Sequence, residues 1–366
     1  NVRKILSEIF DRYRRLYAIM LCLIPAVRSS RPILLRSYNV KGAGWNISNT
    51  LNKFSSDRSK IGVSFSTISN TDSNGKSLVL SHPSEVDTDE QNRKRGRVVC
   101  ITSGKGGVGK TTSAASFAFG LAQRGRKICV VDFDIGLRNL DIHLGMERRV
   151  IFDFVNVLFE ECSLHQALIK DKRNSNLMML AASQTRDKDS LTVEGVERVL
   201  SELSKTFDYV VLDSPAGIES GARHAMYFAD DSIIVTNPEL SSCRDADKMV
   251  GFISSRSRRA EMGASGVSPV SQTLLITRYD ATRVENEESL SIVDIEELLG
   301  LPVIGVIPES KDILTCTNLG TPVITLGEPN SAAGAYSDMV DRFLGEEKAL
   351  RFTTPEPVSF FKRIFG

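Results

Sequence analysis

The sequence predicts an α/β domain, a doubly wound and mostly parallel sheet with helices on both faces. Three observations predict it. Between Arg97 and about Gly345, short apolar runs alternate with longer amphipathic segments, the order expected of strand–helix units around a parallel sheet. Several runs are apolar throughout, which suits strands covered on both faces. A glycine-rich turn separates the first run from the first helical segment.

Taken along the chain, the apolar runs give strands at Val98–Thr102, Ile128–Asp132, Leu177–Ala181, Tyr209–Asp213, Ser232–Thr236, Thr273–Thr277 and Val303–Ile307. The amphipathic segments give helices at Lys110–Arg124, Thr192–Lys205, Ser220–Phe228, Arg244–Ser257, Ile292–Leu299 and Ala332–Leu344. Glu261 to Ser271, with Gly263, Gly266 and Pro269, reads as a surface loop.

The two ends differ from this middle. Residues 1–96 form an extension whose first sixty residues are rich in Arg and Lys and poor in acids, followed by a Ser/Asn-rich stretch. Such a composition buries little apolar surface, and it has the character of an organelle transit segment. A secretory signal is the weaker option, since Arg12–Arg15 and Tyr17–Leu23 mimic its first two regions without a convincing cleavage site. The chain begins with Asn1, so the true start is expected to lie upstream. Residues 97–345 are the α/β domain, and 346–366 a linker with Pro355 and Pro357 and a short C-terminal segment.

Over 366 residues the composition is 41% hydrophobic and 25% charged with a net charge of +1. That balance provides no global attraction to nucleic acid. No apolar run reaches the ~18 to 20 residues that span a bilayer. Cys22, Cys100, Cys129, Cys162, Cys243 and Cys316 are scattered without CxxC spacing and read as reduced core residues. His82, His143, His165 and His224 show no ligand spacing and receive no catalytic role.

The chemistry lies in Gly104-Lys105-Gly106-Gly107-Val108-Gly109-Lys110-Thr111, followed by Thr112. This fits G-x-x-x-x-G-K-[ST], a loop whose backbone N–H groups converge on phosphates because glycines leave room for them. The helix that follows favours anions at its start. Lys110 supplies a mobile charge for the β- and γ-phosphates, and Thr111 offers a hydroxyl to Mg²⁺. Asp213 ends its apolar run where a carboxylate can hold Mg²⁺ through water. Asp132 and Asp134 flank Phe133 at another strand end, where alternation along an extended segment puts both on one side. ATP and Mg²⁺ are therefore the expected ligands.

Lys105 is the informative departure, an extra lysine directly after the first glycine. Together with Asp132 to Asp141, Gln166 to Arg173, Ala182 to Asp189 and Asp213 to Glu219, it makes the chain from about Arg97 onward closely resemble the MinD family. These are membrane-cycling, deviant Walker A ATPases that position division sites. The resemblance implies an ATPase that dimerises face to face on ATP. Lys105 would then reach the partner's nucleotide, Lys110 and Asp134 would complete the catalytic set, and Asp132 and Asp213 would join Thr111 at Mg²⁺. It also implies a MinE-like activator and a MinC-like division inhibitor as partners, with Arg244–Gly251 on the helix that regulators use. One departure is Asp280, where the family pattern leads one to expect Asn near the adenine site.

Read as a helix, Val358, Phe361 and Phe365 share one side with Phe360 and Ile364 beside them, while Lys362 and Arg363 fall toward the polar side. This is the pattern of a helix lying in an anionic membrane interface, and it resembles the family's membrane-targeting sequence. The alternative is a ParA-type DNA-partitioning ATPase, for which Arg256-Ser257-Arg258-Arg259 is the basic cluster available. Iron–sulfur relatives need paired cysteines, which this sequence lacks. The transit-like extension before a bacterial body points to the matrix side of the mitochondrial inner membrane, with the plastid stroma or inner envelope as the alternative.

Overall fold

The computed structural model describes residues 95–186 and 190–354. Its sheet consists of β1 (Arg97–Thr102), β2 (Ile128–Asp132), β3 (Ile169–Lys170), β4 (Leu177–Leu180), β5 (Tyr209–Asp213), β6 (Asp231–Thr236), β7 (Ser271–Tyr279) and β8 (Val303–Pro308). The spatial order is β3-β4-β2-β5-β1-β6-β7-β8, and every pairing is parallel except that of β3 with β4. The helices are α1 (Lys110–Gln123), α2 (Leu140–His143), α3 (Phe154–Leu158), α4 (Leu164–Ala167), α5 (Val193–Thr206), α6 (Ser220–Tyr227), α7 (Leu240–Arg256), α8 (Arg258–Glu261), α9 (Ala281–Glu285), α10 (Ile292–Leu299), α11 (Lys311–Asn318) and α12 (Ser331–Phe343).

Strand alternation divides the core into two halves. Val98 and Cys100 face a cluster containing Val196, Leu203, Met226 and Ile253 of α5, α6 and α7. Val99 and Ile101 face one containing Phe117 and Leu121 of α1 and Tyr336 and Met339 of α12. Parallel strands covered on both faces are apolar on both faces, which explains the continuous runs. Helix α5 shows how a helix meets such a layer. Thr192 accepts a hydrogen bond from the Gly195 N–H at its start, and Val196, Val199, Leu200 and Leu203 form one buried stripe. Each such side chain contributes about 1.5–3 kcal/mol by leaving water.

All the expected strands and helices are present. Three differences have physical causes. Strand β3 is too short to leave a period in the sequence. Helix α7 starts at Leu240 instead of Arg244, because Glu239 is extended and Pro238 stops the helix from running further back. The expected loop after Glu261 contains a 3₁₀ turn at Met262–Ser265, closed by Gly266 at φ +83°. Among the described residues, no helix is long and apolar enough to cross a membrane. Residues 1–94 of the extension 1–96, and residues 355–366 of the linker and C-terminal segment 346–366, lie outside the described residues.

The topology sets the place of the site. From β1 the chain crosses to β2, returns with β5 into the gap between them, and then adds β6 on the other side of β1. Ligands of open parallel sheets bind at the carboxyl ends of the strands beside such a reversal.

Candidate active site

The glycine-rich loop leaves the carboxyl end of β1 and turns into α1 through backbone that only glycine adopts readily, Gly107 at φ +76° and Gly109 at φ +95°. Gly109 stands at the helix N-cap, and no side chain caps that end. The first-turn N–H groups of α1 are thereby left to an anion. A Cβ at Gly106 or Gly107 would meet nothing within 4 Å, so the loop is open on that side. On the other side it is clamped. A Cβ at Gly104 would lie 2.2 Å from the carbonyl oxygen of Asp245 in α7. Val108 is buried, and its carbonyl accepts from Thr277 Oγ1 at 2.7 Å.

Lys110 Nζ donates to Ser103 Oγ at 2.9 Å, and Ser103 in turn donates to the Lys105 carbonyl at 2.7 Å. Burial holds the Lys110 ammonium below its ordinary pKa, while the carboxylates of Asp213 and Asp134 pull it back up. The lysine is thus buried in front of the loop and close to two acids. Lys105 lies on the surface, and its Nζ reaches Glu239 Oε2 at 2.9 Å and Ser241 Oγ at 3.4 Å, both at the start of α7. With Lys105 41% and Glu239 55% exposed, this is a weak pair.

Asp132 and Asp213 end adjacent strands and face each other in register. Both are buried, at 1% and 2% exposure. Burial pushes the Asp132 carboxyl up to about 7, with the neighbouring Asp134 and Asp141 adding to it and N–H donors opposing. Asp213 is raised by burial and by Asp132, and lowered by the Thr111 hydroxyl that bonds to it and by Lys110. The expected alternation of Asp132 and Asp134 along one extended segment is not what joins them. The strand stops at Asp132, and its Oδ1 accepts the Asp134 N–H at 2.9 Å while Oδ2 accepts the Leu140 N–H at 3.2 Å. Asp132 therefore organises a turn, and that turn keeps Asp134 near Lys110 and Asp213.

A divalent ion fits this place. Among the described residues, the buried Oδ1 of Asp213 meets no hydrogen-bond donor, and its carboxyl already contacts the Thr111 hydroxyl. Hard oxygen donors beside a phosphate cradle suit Mg²⁺, which keeps several waters and takes few protein ligands. Correspondingly, no group of three or more His, Cys, Asp or Glu is placed for a metal among the described residues. Ser103, Glu239, Asp245 and Thr277 were not legible in the sequence as parts of this site, since only folding brings them to the loop. Val358, Phe360, Phe361, Lys362, Arg363, Ile364 and Phe365 lie outside the described residues. Cys100, Cys129, Cys243 and Cys316 are free and buried, as expected of core residues, whereas Cys162 is free but half-buried and Cys22 lies outside the described residues.

Comparison with known proteins agrees with this geometry. The AAA domain family matches residues 96–262. The septum site-determining protein MinD of Buchnera aphidicola is 55% identical over 272 residues, covering 74% of this chain and 99% of that protein. Among solved structures, the MinC:MinD cell division protein complex of Aquifex aeolicus aligns with a TM-score of 0.60 at 37% identity, covering 70% of this chain and 98% of that one. The MinD of Pyrococcus horikoshii complexed with Mg-ADP aligns with a TM-score of 0.58 at 26% identity, covering 68% and 96%. With more than half its aligned residues identical across essentially the whole of a curated relative, the chain belongs to the MinD family of septum site-determining ATPases.

Proposed function

We propose that this division-site-positioning ATPase works as a nucleotide-gated membrane switch. ATP joins two copies face to face, the joined pair holds to an anionic membrane, and hydrolysis releases it. The observation that carries the reading is the clamped glycine loop with Lys110 and Lys105 on it and the Asp132–Asp213 pair behind it.

In this reading the N–H groups of residues 104–112 and the Lys110 ammonium bind the phosphates. Thr111 and Asp213 would hold Mg²⁺, with Asp132 behind them. When bound, the ion would supply positive charge that offsets the charge of the phosphates. Asp134, held by its own N–H to Asp132, orients the attacking water. Lys105 leaves Glu239 and crosses to the partner's phosphates. An exposed ion pair of this kind contributes only about 0–1 kcal/mol, so a multiply charged phosphate is the stronger partner.

The residues Val358 to Phe365 support the membrane step through their composition. Each large apolar side chain contributes at most ~1.5–3 kcal/mol at the interface, and each basic residue about 1 kcal/mol on an anionic surface. Ordering a short helix offsets much of that sum. One tail therefore binds reversibly, whereas two tails on one dimer raise avidity by about 10² to 10⁴. A MinC-like inhibitor and a MinE-like activator are the expected partners. The groove between the loop and α7, lined by Gly104, Ile218, Lys248, Met249 and Phe252, would offer them a surface beside the nucleotide loop. The Arg-rich, acid-poor extension supports delivery to the mitochondrial matrix, where the protein would act on the inner membrane.

Co-sedimentation of the full chain with phosphatidylglycerol-containing vesicles tests the switch. ATP should bring the protein down and ADP should not. Phe361→Glu should stay in the supernatant in both while still dimerising on ATP. Equal pelleting with the two nucleotides would refute the gating, and unchanged pelleting of Phe361→Glu would refute the tail's role.

A further inference from the structure

His143 stands at the end of α2 and touches Thr112 in the first turn of α1, directly after the phosphate loop. Its Nδ1 lies 3.0 Å from the Asn139 carbonyl oxygen, and its Nε2 lies 3.3 Å from Thr112 Oγ1. A carbonyl only accepts, so Nδ1 carries the ring proton. In the neutral ring Nε2 is then a lone pair, and the Thr112 hydroxyl donates to it. Burial favours the neutral ring by disfavouring the imidazolium, against the opposing pull of the Asn139 carbonyl and Asp141.

The other end of this contact reaches the carboxylates. Asn139 precedes Leu140, whose N–H donates to Asp132, and Asp132 accepts the Asp134 N–H. The intervening turn holds Gly136 at φ +98° and Arg138 at φ +49°. A non-glycine residue keeps such a conformation only where its surroundings impose it. A continuous set of bonds thus runs from Thr112 through His143 and Asn139 to Asp132 and Asp134.

Thr112 has a single hydroxyl proton, and it is the third residue of α1, at the end where phosphate is expected. We infer that His143 is a positioning residue that competes with bound phosphate for the Thr112 hydroxyl proton and thereby relays occupancy of the loop to the turn carrying Asp134. With the loop empty, Thr112 donates to His143 and α2 is tied to α1. With the loop filled, Thr112 donates to the phosphate, His143 loses its donor, and the turn from Asp134 to His143 is released. The inference rests on the nucleotide reading given above. It assigns a task to a histidine that sequence spacing left without one.

Calorimetric titration of the full chain with MgADP, together with amide hydrogen exchange of residues 134–143, tests it. His143→Leu fills the same half-buried space without an acceptor, and should bind MgADP about two- to tenfold more tightly, the range of one net hydrogen bond. Its empty form should exchange the 134–143 amides as fast as the ADP-bound wild type does. His143→Gln keeps an acceptor and should stay within about twofold of wild type. A purely structural histidine predicts the reverse order, so weaker or unchanged affinity in His143→Leu overturns the inference, as does equal tightening by Gln. If His143→Leu does not fold, His143→Met makes the same removal with a flexible apolar chain. Failure of the wild type itself to bind MgADP would instead overturn the nucleotide reading.

Discussion

Glu239→Gln is the perturbation that most directly probes the proposed crossing of Lys105. In the single chain Lys105 Nζ is held 2.9 Å from Glu239 Oε2, with both side chains well exposed. Before Lys105 can reach a partner's phosphate, that pair must break, at a cost of about 0.2–1 kcal/mol for exposed ions. A symmetric dimer breaks two of them, so removing the Glu239 charge should favour dimerisation by about 0.4–2 kcal/mol, or two- to thirtyfold in the dimer dissociation constant. The gain should shrink at high salt, because exposed charges are screened. Glu239 makes no side-chain cap to α7, so the substitution leaves the helix start with only a small loss of charge–dipole energy. Sedimentation velocity with ATP, on an Asp134→Ala background that slows turnover, measures the constant directly. Lys105→Ala on the same background should remain monomeric. A dimer constant that Glu239→Gln leaves unchanged or weakens would refute the idea that Lys105 is held in reserve by its own chain.

Two further outcomes follow from the buried acids and the clamped loop. A carboxyl raised to about 7, as Asp132 is, binds its proton in the folded state where the unfolded chain has already lost it. Its contribution is present below the unfolded value and disappears as pH rises through about 7. The urea midpoint of the nucleotide-free, Mg²⁺-free protein should therefore fall from pH 5 to pH 8, and Asp132→Asn should flatten that fall; parallel slopes would refute the burial argument. Gly104→Ala forces a Cβ to within 2.2 Å of the Asp245 carbonyl, so the loop or α7 must shift. It should lower stability by about 1–3 kcal/mol and weaken MgADP binding. Gly106→Ala, whose Cβ meets nothing within 4 Å, should weaken binding alone. Equal melting temperatures for the two variants would show that no clamp exists.

The sequence by itself determined the fold class, the order of the main strands and helices, and the phosphate loop. Each rests on local chemistry: strands buried on both faces need continuous apolar runs, and a phosphate cradle needs glycines and a lysine at fixed spacing. The partnership of Asp132 with Asp213 was legible only as two strand ends. Their register across adjacent strands arises because β5 inserts between β1 and β2, an event of topology that no local pattern encodes. Likewise Asp134 reaches the site through a turn built on Asp132, and not by strand alternation. Glu239 behind Lys105, Asp245 behind Gly104 and His143 behind Thr112 come from segments far apart in the chain or separated by a strained turn. Tertiary structure decided these, because a side chain's partner is fixed by which backbones pack side by side, and that depends on the whole sheet.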